Sequence, residues 1–251
     1  MDTAQQTKYK ILLIGDDCND VYTYGYVKRI SPEAPVPVFE PHYTIYRDGM
    51  AGNVRENLQA LGCDVDFLRG KPSEKNRLID ERTKQQLLRV DRDVESDPIT
   101  FETAIPPGYD AIVISDYNKG TVTYELIEEL VREVNVPIFV DTKKTDLARL
   151  VGCYVKINAL EKSRAISLPD TEHLIVTHGS DGATWNGWVY PAELVGDVTD
   201  VCGAGDTFLA ALVYKFLETK HMPDAIKFAN KASAVTVQHI GVYAPRLDEI
   251  K

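Results

Sequence analysis

Residues 197–208 read Asp-Val-Thr-Asp-Val-Cys-Gly-Ala-Gly-Asp-Thr-Phe, an acidic and β-branched approach to a glycine-rich turn. Gly203 and Gly205 allow a tight turn that larger residues would resist. The apolar segment 208–217 follows at helical spacing, so the turn is predicted to open a helix. The first N–H groups of a helix have no partners within it, and they lie at the positive end of the helix dipole. The sequence therefore predicts a site for a phosphate-sized anion at this turn.

Asp206 stands where a carboxylate can take a proton from a hydroxyl group beside the bound anion. A phosphate site with an adjacent base is what the phosphorylation of an alcohol requires. Asp and Gly are also common at ordinary helix starts, so residues 203–206 alone support a plain cap equally well. The dinucleotide-binding pattern GxGxxG fits poorly because Phe208 occupies its third glycine position, and the P-loop pattern GxxxxGK[ST] is absent from the sequence.

The composition is that of a globular protein, and 251 residues favour one α/β domain. The formal net charge of -10 argues against a nucleic-acid or anionic-membrane surface. The first ten residues resemble neither a signal nor a transit peptide, and no apolar run reaches the ~18 residues of a membrane span. The four cysteines lack CxxC spacing, which favours a reduced cytosol. A soluble, cytoplasmic protein is expected.

Short apolar runs alternate with amphipathic segments along the chain. Residues 11–14 read as a buried strand of a parallel sheet, and residues 111–114 read in the same way. Residues 125–133 read as an amphipathic crossover helix that leads to a strand at 137–140. The pattern predicts an α/β fold with a mainly parallel sheet. Asp20 follows the first strand, where the ligand crevice of such sheets lies, although Asp is also common in solvated turns.

Four motifs occur in a fixed order. Residues 197–208 resemble the pattern DTxGAGD, and residues 48–58 resemble GGAxNVAxNLAxLG. Residues 158–161 match NxxE, and residues 176–182 resemble VTxGxxG. With Asp20 and the proline-rich segment 29–38, the resemblance covers nearly the whole chain, which is similar to the ribokinase-like (PfkB) sugar kinases.

The resemblance implies a three-layer α/β sandwich with a mainly parallel central sheet and a small β lid. The lid is expected from segments near 21–47 and 75–91 of a single kinase domain spanning 1–251. Three prolines within residues 32–37 agree with this, because proline suits an edge ribbon better than a central strand. The resemblance also implies a homodimer formed through the lid. No nucleic-acid or membrane partner is expected.

The family pattern implies that Asp206 is the catalytic base. The anion hole would be formed by the amides of Gly203, Ala204, Gly205 and Asp206. The implied sugar-binding residues are Asp20, Gly49 and Asn53. Met50 replaces the second glycine of the family motif, so a reshaped or narrowed sugar pocket is expected.

ATP and Mg²⁺ are the cofactors that the resemblance implies. The residues implied for the nucleotide are Asn158, Thr177, Gly179, Gly182 and Asn230. Glu161 would hold Mg²⁺ through water, because Mg²⁺ keeps several waters and takes few protein ligands. Asp200 would help to order a K⁺ ion, as in some relatives. Taken alone, NxxE is also a common helix cap with a solvated glutamate.

Three further segments resemble one branch of the family, the heptose 7-phosphate kinases. They are Arg-Ile-Ser-Pro-Glu-Ala-Pro-Val-Pro-Val at 29–38, Gln-Gln-Leu-Leu-Arg-Val-Asp at 85–91, and Ser-Asp-Tyr-Asn-Lys-Gly at 115–120. The last segment implies Asp116 and Lys119 at the substrate, with Lys119 on its phosphate, although a lone loop lysine is as often solvated. The prediction is ATP-dependent phosphorylation of D-glycero-D-manno-heptose 7-phosphate to the 1,7-bisphosphate.

Two other functions stay open. A kinase of the ribokinase or fructokinase type would act on an unphosphorylated sugar, and the loss of Lys119 would leave that activity little affected. A degenerate protein would bind a sugar or nucleotide without turnover. Met50 motivates the degenerate-protein alternative. Segment 70–73 motivates it too, because the chain there runs directly into the lid, whereas the family has a further helix and strand.

Overall fold

Two separate sheets and five α-helices make up the computed structural model, which describes residues 9–100, 108–196 and 198–250. Asp197, the first residue of the glycine-rich approach, lies outside the described residues. The strands are β1 (Lys10–Gly15), β2 (Asp17–Ile30), β3 (Pro37–Met50), β4 (Asp64–Arg69), β5 (Ser73–Asp80), β6 (Gln86–Arg92), β7 (Ala111–Asp116), β8 (Ile138–Thr142), β9 (Tyr154–Asn158), β10 (Leu174–Thr177), β11 (Ala183–Trp185) and β12 (Trp188–Tyr190). The helices are α1 (Ala51–Ala60), α2 (Tyr124–Glu133), α3 (Ala159–Arg164), α4 (Ala204–Thr219) and α5 (Met222–Thr236).

The central sheet has the strand order β12-β11-β10-β9-β8-β7-β1-β4. Strands β4, β1, β7, β8, β9 and β10 are parallel, and β11 and β12 add an antiparallel hairpin at one edge. The inner strands are continuous apolar runs because both faces of the sheet are covered. The predicted α/β class is confirmed. The parallel strands end at the same edge, which is where ligands bind in open sheets of this kind.

Helices cover the two faces of the central sheet unequally. On one face α1, α4 and α5 pack in a core that includes Leu58, Leu209 and Ile226. On the other face α2 contributes Leu126 and Leu130 to a smaller core. The molecule is therefore a three-layer sandwich with one thick and one thin helical layer.

The helix predicted after the glycine-rich turn is α4. Most of its residues are buried, because it lies between the sheet and the neighbouring helices α1 and α5. This explains why segment 208–217 is apolar on nearly every side rather than along one stripe. Helix α5 begins with Pro223 in its first turn, where the fixed φ of proline suits a helix start.

The second sheet, with the order β3-β2-β5-β6, is the predicted lid. Strands β2 and β3 pair antiparallel from Asp17 opposite Met50 to Ile30 opposite Pro37. Strand β5 pairs parallel with β2 and antiparallel with β6. The lid strands are somewhat longer than the predicted segments 21–47 and 75–91.

Residues 70–72 alone connect β4, an edge strand of the central sheet, to β5 of the lid. The direct passage expected from the sequence is therefore present. Among the described residues, no helix combines the length and apolar character needed to cross a bilayer.

Candidate active site

The N-terminal turn of α4 is built around Gly203. This N-cap residue has a left-handed backbone with φ of 78°, and a β-carbon there would lie 2.8 Å from Nδ2 of Asn53. Glycine is therefore needed both for the backbone angle and for the close neighbour. Within the described residues, the N–H groups of Gly205 and Asp206 have no hydrogen-bond acceptor, whereas that of Ala204 donates to a carbonyl oxygen at 3.3 Å. Two of the predicted anion-hole amides are thus left for a ligand.

Asp206 is the third residue of α4 and is only 8% exposed. Two neutral donors hold its carboxylate. Nδ2 of Asn53 donates to Oδ2 at 2.7 Å, and the hydroxyl of Tyr117 donates to Oδ1 at 3.2 Å. Burial raises the pKa of Asp206 to about 6, and Asp141 adds to the rise, while Asn53, Lys156 and Tyr117 oppose it. A carboxyl group with this pKa is ionised at neutral pH and basic enough to share in proton transfer.

A buried chain of hydrogen bonds orients Asn53. The amide of Asn57 donates to Oδ1 of Asn53 at 3.2 Å, and Thr207 donates to Oδ1 of Asn57 at 2.8 Å. Thr236 in turn donates to the hydroxyl oxygen of Thr207 at 3.0 Å. Because Oδ1 of Asn53 accepts from Asn57, its amide nitrogen faces Asp206. Asn53, predicted to contact the sugar, thus has both polar ends engaged within the protein and positions Asp206.

The predicted sugar residues Asp20 and Gly49 lie together on the lid. A β-carbon on Gly49 would lie 2.6 Å from Oδ2 of Asp20, so a larger residue would displace this carboxylate. Oδ1 of Asp20 forms an ion pair with Nη1 of Arg77 at 2.5 Å, and both side chains are largely buried. The guanidinium of Arg77 also lies over the ring of Tyr22, 4.9 Å from its centroid. One oxygen of Asp20 is thus used by the protein.

A cavity of about 170 Å³ lies between the lid and the approach to α4. The lid lines it with Tyr22, Arg47, Arg77 and Lys84, and Cys202 lines it immediately before the glycine-rich turn. Neither Asp20 nor Asp206 is among the described residues that line it, so the cavity adjoins the candidate site rather than containing it. A small polar molecule in it would contact both the lid and the residues just before the turn.

The inner face of the lid, defined as the side that carries Asp20, is positively charged. The strand register places Arg47 and Lys75 on either side of Asp20. Within the described residues, Arg47, Lys75 and Lys84 have no carboxylate within ion-pairing distance, whereas Arg77 is paired with Asp20. The whole chain has a net charge of -10, so this concentration of positive charge is a local feature. It favours an anionic ligand.

Met50 has a backbone conformation that favours glycine. Its φ of 50° and ψ of -129° are strained for a residue with a side chain. The side chain is buried, and among the described residues it is not one of those that line the cavity. The structure gives no support to the expected narrowing of the sugar pocket by Met50.

Asp116 and Lys119, both predicted to contact the substrate, are engaged by the protein. Asp116 accepts a hydrogen bond from Thr142 at 2.6 Å and forms an ion pair with Lys144 at 3.3 Å. Burial raises the pKa of Asp116, and Lys144 is the largest opposing influence. The ammonium of Lys119 pairs with Asp93 at 2.7 Å. Neither residue lines the cavity that the described residues form.

Asn158 and Glu161 form a capping box at the start of α3. Oδ1 of Asn158 accepts from the N–H of Glu161 at 2.9 Å, and Oε2 of Glu161 accepts from the N–H of Asn158 at 2.8 Å. The other oxygen of Glu161 forms an ion pair with Lys143. Within residues 9–100, 108–196 and 198–250, no three His, Cys, Asp or Glu side chains form a metal site. Both oxygens of Glu161 therefore have protein partners, and a hydrated Mg²⁺ at this carboxylate would share Oε1 with Lys143.

Thr177 lies beside Asn158, because the two residues are paired in the register of β9 and β10. Gly179 begins the single 3-10 turn after β10, with φ of 61° and open space around its α-carbon. These three residues, predicted for the nucleotide, therefore meet at the carboxyl edge of the sheet.

Gly182, Asn230 and Asp200 have partners that stabilise loops. Nδ2 of Asn230 donates to the carbonyl oxygen of Tyr190 at 3.0 Å. Gly182, with φ of 89°, lies so close to the same carbonyl group that a β-carbon would not fit. The Asp200 carboxylate accepts from two backbone N–H groups, one of them from Gly241 at 2.9 Å. Their nucleotide and K⁺ roles stay predictions.

The structure brings three residues to the site for which the sequence predicted no role: Tyr117, Lys156 and Arg77. Tyr117 directly follows the end of β7, a position that points to the ligand edge of a parallel sheet. Lys156 interrupts the apolar run of β9, which is also visible in the sequence. Arg77 carries no such signal, because its role depends on a tertiary pairing with Asp20.

The pattern of pfkB family carbohydrate kinases matches residues 121–249, just over half of the chain and including Asp206. The chain belongs to the pfkB family of carbohydrate kinases. Members of this family are phosphotransferases, and the ribokinase-like resemblance drawn from the motifs is confirmed.

Curated relatives agree with the family assignment. The bifunctional protein HldE of a Nitratiruptor species is 31% identical over 306 residues, which cover 97% of this pfkB-family chain and 64% of that protein. The bifunctional protein HldE of Helicobacter acinonychis is 30% identical over 303 residues, which cover 96% of this chain and 65% of that protein. The chain thus spans less than two thirds of these relatives. Since both alignments are longer than 251 residues, the relatives contain segments that this chain lacks.

Solved structures share the fold of this pfkB-family chain. Ribokinase from Thermotoga maritima superimposes with a TM-score of 0.70 at 14% identity, covering 97% of this chain and 98% of that one. Arabidopsis thaliana ribokinase complexed with ribose and ATP gives a TM-score of 0.67 at 15% identity, with 96% and 97% covered. At such identities the likeness concerns the fold alone, and the ribokinase-like fold predicted from the sequence is confirmed.

Proposed function

We propose that this chain is an ATP-dependent kinase that transfers the γ-phosphoryl group of ATP to a hydroxyl of a sugar phosphate. The placement of Asp206 carries the proposal. Its buried carboxylate is held by Asn53 and Tyr117 beside two first-turn amides that have no acceptor among the described residues. A base next to an anion site is the arrangement that alcohol phosphorylation needs. Ribokinases of the same fold were solved with ATP and with ADP, which supports ATP as the donor.

Asp206 accepts the proton of the attacking hydroxyl as the sugar oxygen bonds to phosphorus and the bond to the leaving ADP oxygen breaks. General-base assistance of this kind contributes about 10²–10⁴ in rate. The N–H groups of Gly205 and Asp206 donate to the phosphoryl oxygens, which carry the charge of the transition state. Mg²⁺, when bound, supplies further positive charge on the phosphates. Glu161 is the residue that would hold it, through water.

A phosphorylated sugar is favoured over a neutral one by the charge of the lid. Arg47, Lys75 and Lys84 form no ion pair among the described residues and lie on or beside the cavity. An anionic group on the substrate would gain charge-assisted contacts with them, whereas a neutral sugar would not. These residues join Lys119, which is itself paired with Asp93, as candidates for binding the substrate phosphate.

D-glycero-D-manno-heptose 7-phosphate, phosphorylated at O1, is the specific substrate that we propose. It is supported by the segments 29–38, 85–91 and 115–120, which resemble heptose 7-phosphate kinases, and by the relatives named HldE. A K⁺ ion near Asp200 and a cytoplasmic location are part of the same proposal.

A homodimer formed through the lid is also proposed. The lid carries exposed apolar side chains, including Ile30, Tyr46 and Leu88, at 60%, 72% and 53% exposure. Burying them against a second lid would remove this apolar surface from water. Sedimentation of the purified chain distinguishes a dimer from a monomer, and a monomer at assay concentration would contradict this part of the proposal.

The test is an ADP-release assay with heptose 7-phosphate, ribose and fructose as acceptors. The proposal predicts turnover with the sugar phosphate and a loss of about 10²–10⁴ in kcat for Asp206→Asn. Lys75→Met should raise the KM for the sugar phosphate, while Lys28→Met, a lid lysine paired with Glu40, serves as the control. Turnover of ribose or fructose alone would point to a kinase of a neutral sugar. Tight sugar binding without ADP release would point to a degenerate binding protein.

A further inference from the structure

Lys156 is a charged residue in an apolar place. It lies in β9 between Val155 and Ile157, which are fully buried in the core beneath α2. Side chains alternate across a strand, so Lys156 lies on the opposite face, toward the layer that contains α4. It is only 4% exposed. A buried ammonium is costly unless other groups compensate its charge, so its surroundings need an explanation.

Two contacts define the position of the Lys156 ammonium. It forms an ion pair with Oδ2 of Asp141, its neighbour on β8, at 2.5 Å. It also lies against the first turn of α4, because a β-carbon on Gly205 would come within 3.2 Å of Nζ. The charge of Lys156 lowers the pKa of Asp206, which places it in the electrostatic surroundings of the same turn.

This position is unfavourable for a cation by itself. The N-terminus of a helix is the positive end of its dipole, where anions are stabilised and cations are not. An ammonium has three N–H donors, and Asp141 is the one acceptor that Lys156 reaches among the described residues. An anion bound at the turn would face both the free amides of Gly205 and Asp206 and this ammonium.

We propose that Lys156 is a phosphate-binding residue that contacts the oxygens of the phosphoryl group during its transfer, with Asp141 holding the ammonium in place. This inference rests on the proposed kinase function. The new bond forms between the sugar oxygen and phosphorus, the bond to the ADP oxygen breaks, and the hydroxyl proton goes to Asp206. Lys156 stays protonated throughout. A cation already fixed in a dry site stabilises this charge without reorganisation.

The experiment compares Lys156→Met with wild type in two measurements. Calorimetry in Mg²⁺ gives the affinities for ADP and for the non-hydrolysable ATP analogue AMP-PNP, which carries the additional phosphoryl group. The loss of a charge-assisted contact predicts AMP-PNP binding weaker by about tenfold or more, with ADP binding within about twofold. The value of kcat should fall by about 10²-fold, with the KM for the sugar unchanged. Lys156→Arg should restore part of the AMP-PNP affinity, since it keeps the charge.

Lys144→Met is the matched control, because it also removes a nearly buried lysine paired with an aspartate. It should keep the AMP-PNP affinity within about twofold of wild type.

If Lys156→Met does not fold, Lys156→Gln replaces it, and melting temperatures are recorded for every variant. Equal AMP-PNP binding by wild type, Lys156→Gln and Lys156→Met would overturn the proposal. If wild type binds AMP-PNP but phosphorylates no sugar, the kinase function fails while the Lys156 contact is still decided by binding. Failure of wild type to bind either nucleotide would overturn both.

Discussion

Two acidic residues occupy the same position in two helices, and their surroundings differ. Asp206 is the third residue of α4, and Glu161 is the third residue of α3. At α3 the N-cap is Asn158, whose side chain and backbone close a capping box with Glu161. At α4 the N-cap is Gly203, which has no side chain to close such a box. The carboxylate of Asp206 is therefore left to Asn53 and Tyr117, which donate to its two oxygens.

The comparison shows how the N-cap residue decides what an acid in the first turn can do. A side-chain cap directs the acid to its own helix, as in many ordinary helix starts. A glycine cap in a left-handed conformation leaves both the acid and the first amides free for other partners. The same acid thus stabilises a helix in one place and forms a candidate catalytic site in the other.

Gly203→Ala tests this comparison with the largest expected effect. The new β-carbon would meet Nδ2 of Asn53 at 2.8 Å and displace the donor that holds Asp206. A misplaced base is expected to cost about 10²-fold in kcat, measured by ADP release. Gly62→Ala is the control, because Gly62 also has a positive φ of 86° but open space around it. Both variants should lose about 1–2 kcal/mol of stability, because alanine is strained at a positive φ. Full activity in Gly203→Ala would show that the position of Asp206 does not depend on glycine at the N-cap.

Asp206→Asn tests how much the buried charge of Asp206 lowers the free energy of unfolding. The pKa of Asp206 is raised by burial from 3.8 to about 6, so the folded state binds this proton more tightly than the unfolded state. The stabilisation by that proton is complete below about pH 4 and is lost as pH rises through about 6. Removing the charge should therefore stabilise the protein by about 2–3 kcal/mol at pH 8 relative to wild type, and little at pH 4. Denaturant unfolding at both pH values measures the difference, and a pH-independent gap would show that Asp206 has no raised pKa.

Glu161→Gln should have the smallest effect. Glutamine can still close the capping box with Asn158, so stability should change by less than about 1 kcal/mol. Loss of the charge removes the attraction for a hydrated Mg²⁺, so the Mg²⁺ needed for half-maximal activity should rise by up to about tenfold, with kcat kept at saturating Mg²⁺. Titration of ADP release with Mg²⁺ measures this. A loss of kcat as large as that of Asp206→Asn would remove the distinction between the two acids.

Local patterns in the sequence were enough to predict the α/β class and the turn of α4. The apolar strands, the amphipathic helix α2 and the Gly-Ala-Gly-Asp turn are each determined by residues close in the chain. The three-layer arrangement, the lid and the role of Asp206 as base needed the family resemblance as well, because residues 203–206 alone are equally typical of a plain helix cap.

The partners of charged side chains could not be predicted in the same way. Arg77 meets Asp20, and Lys119 meets Asp93, through the pairing of strands and loops distant in sequence. Lys144 forms an ion pair with Asp116 because the ends of β7 and β8 lie side by side. Sequence motifs therefore identify which residues are near the site but not which of their charges remain free for a ligand.

The pH dependence of kcat/KM for the sugar phosphate decides whether ionised Asp206 is the base. Wild-type kcat/KM is expected to fall about tenfold per pH unit below a pKa near 6, the value to which burial raises the pKa of Asp206. The residual rate of Asp206→Asn should be at least about 10²-fold lower and should lack this ionisation. Retention of the same acid limb in Asp206→Asn, or a wild-type rate that stays flat down to pH 4.5, would contradict this role of Asp206.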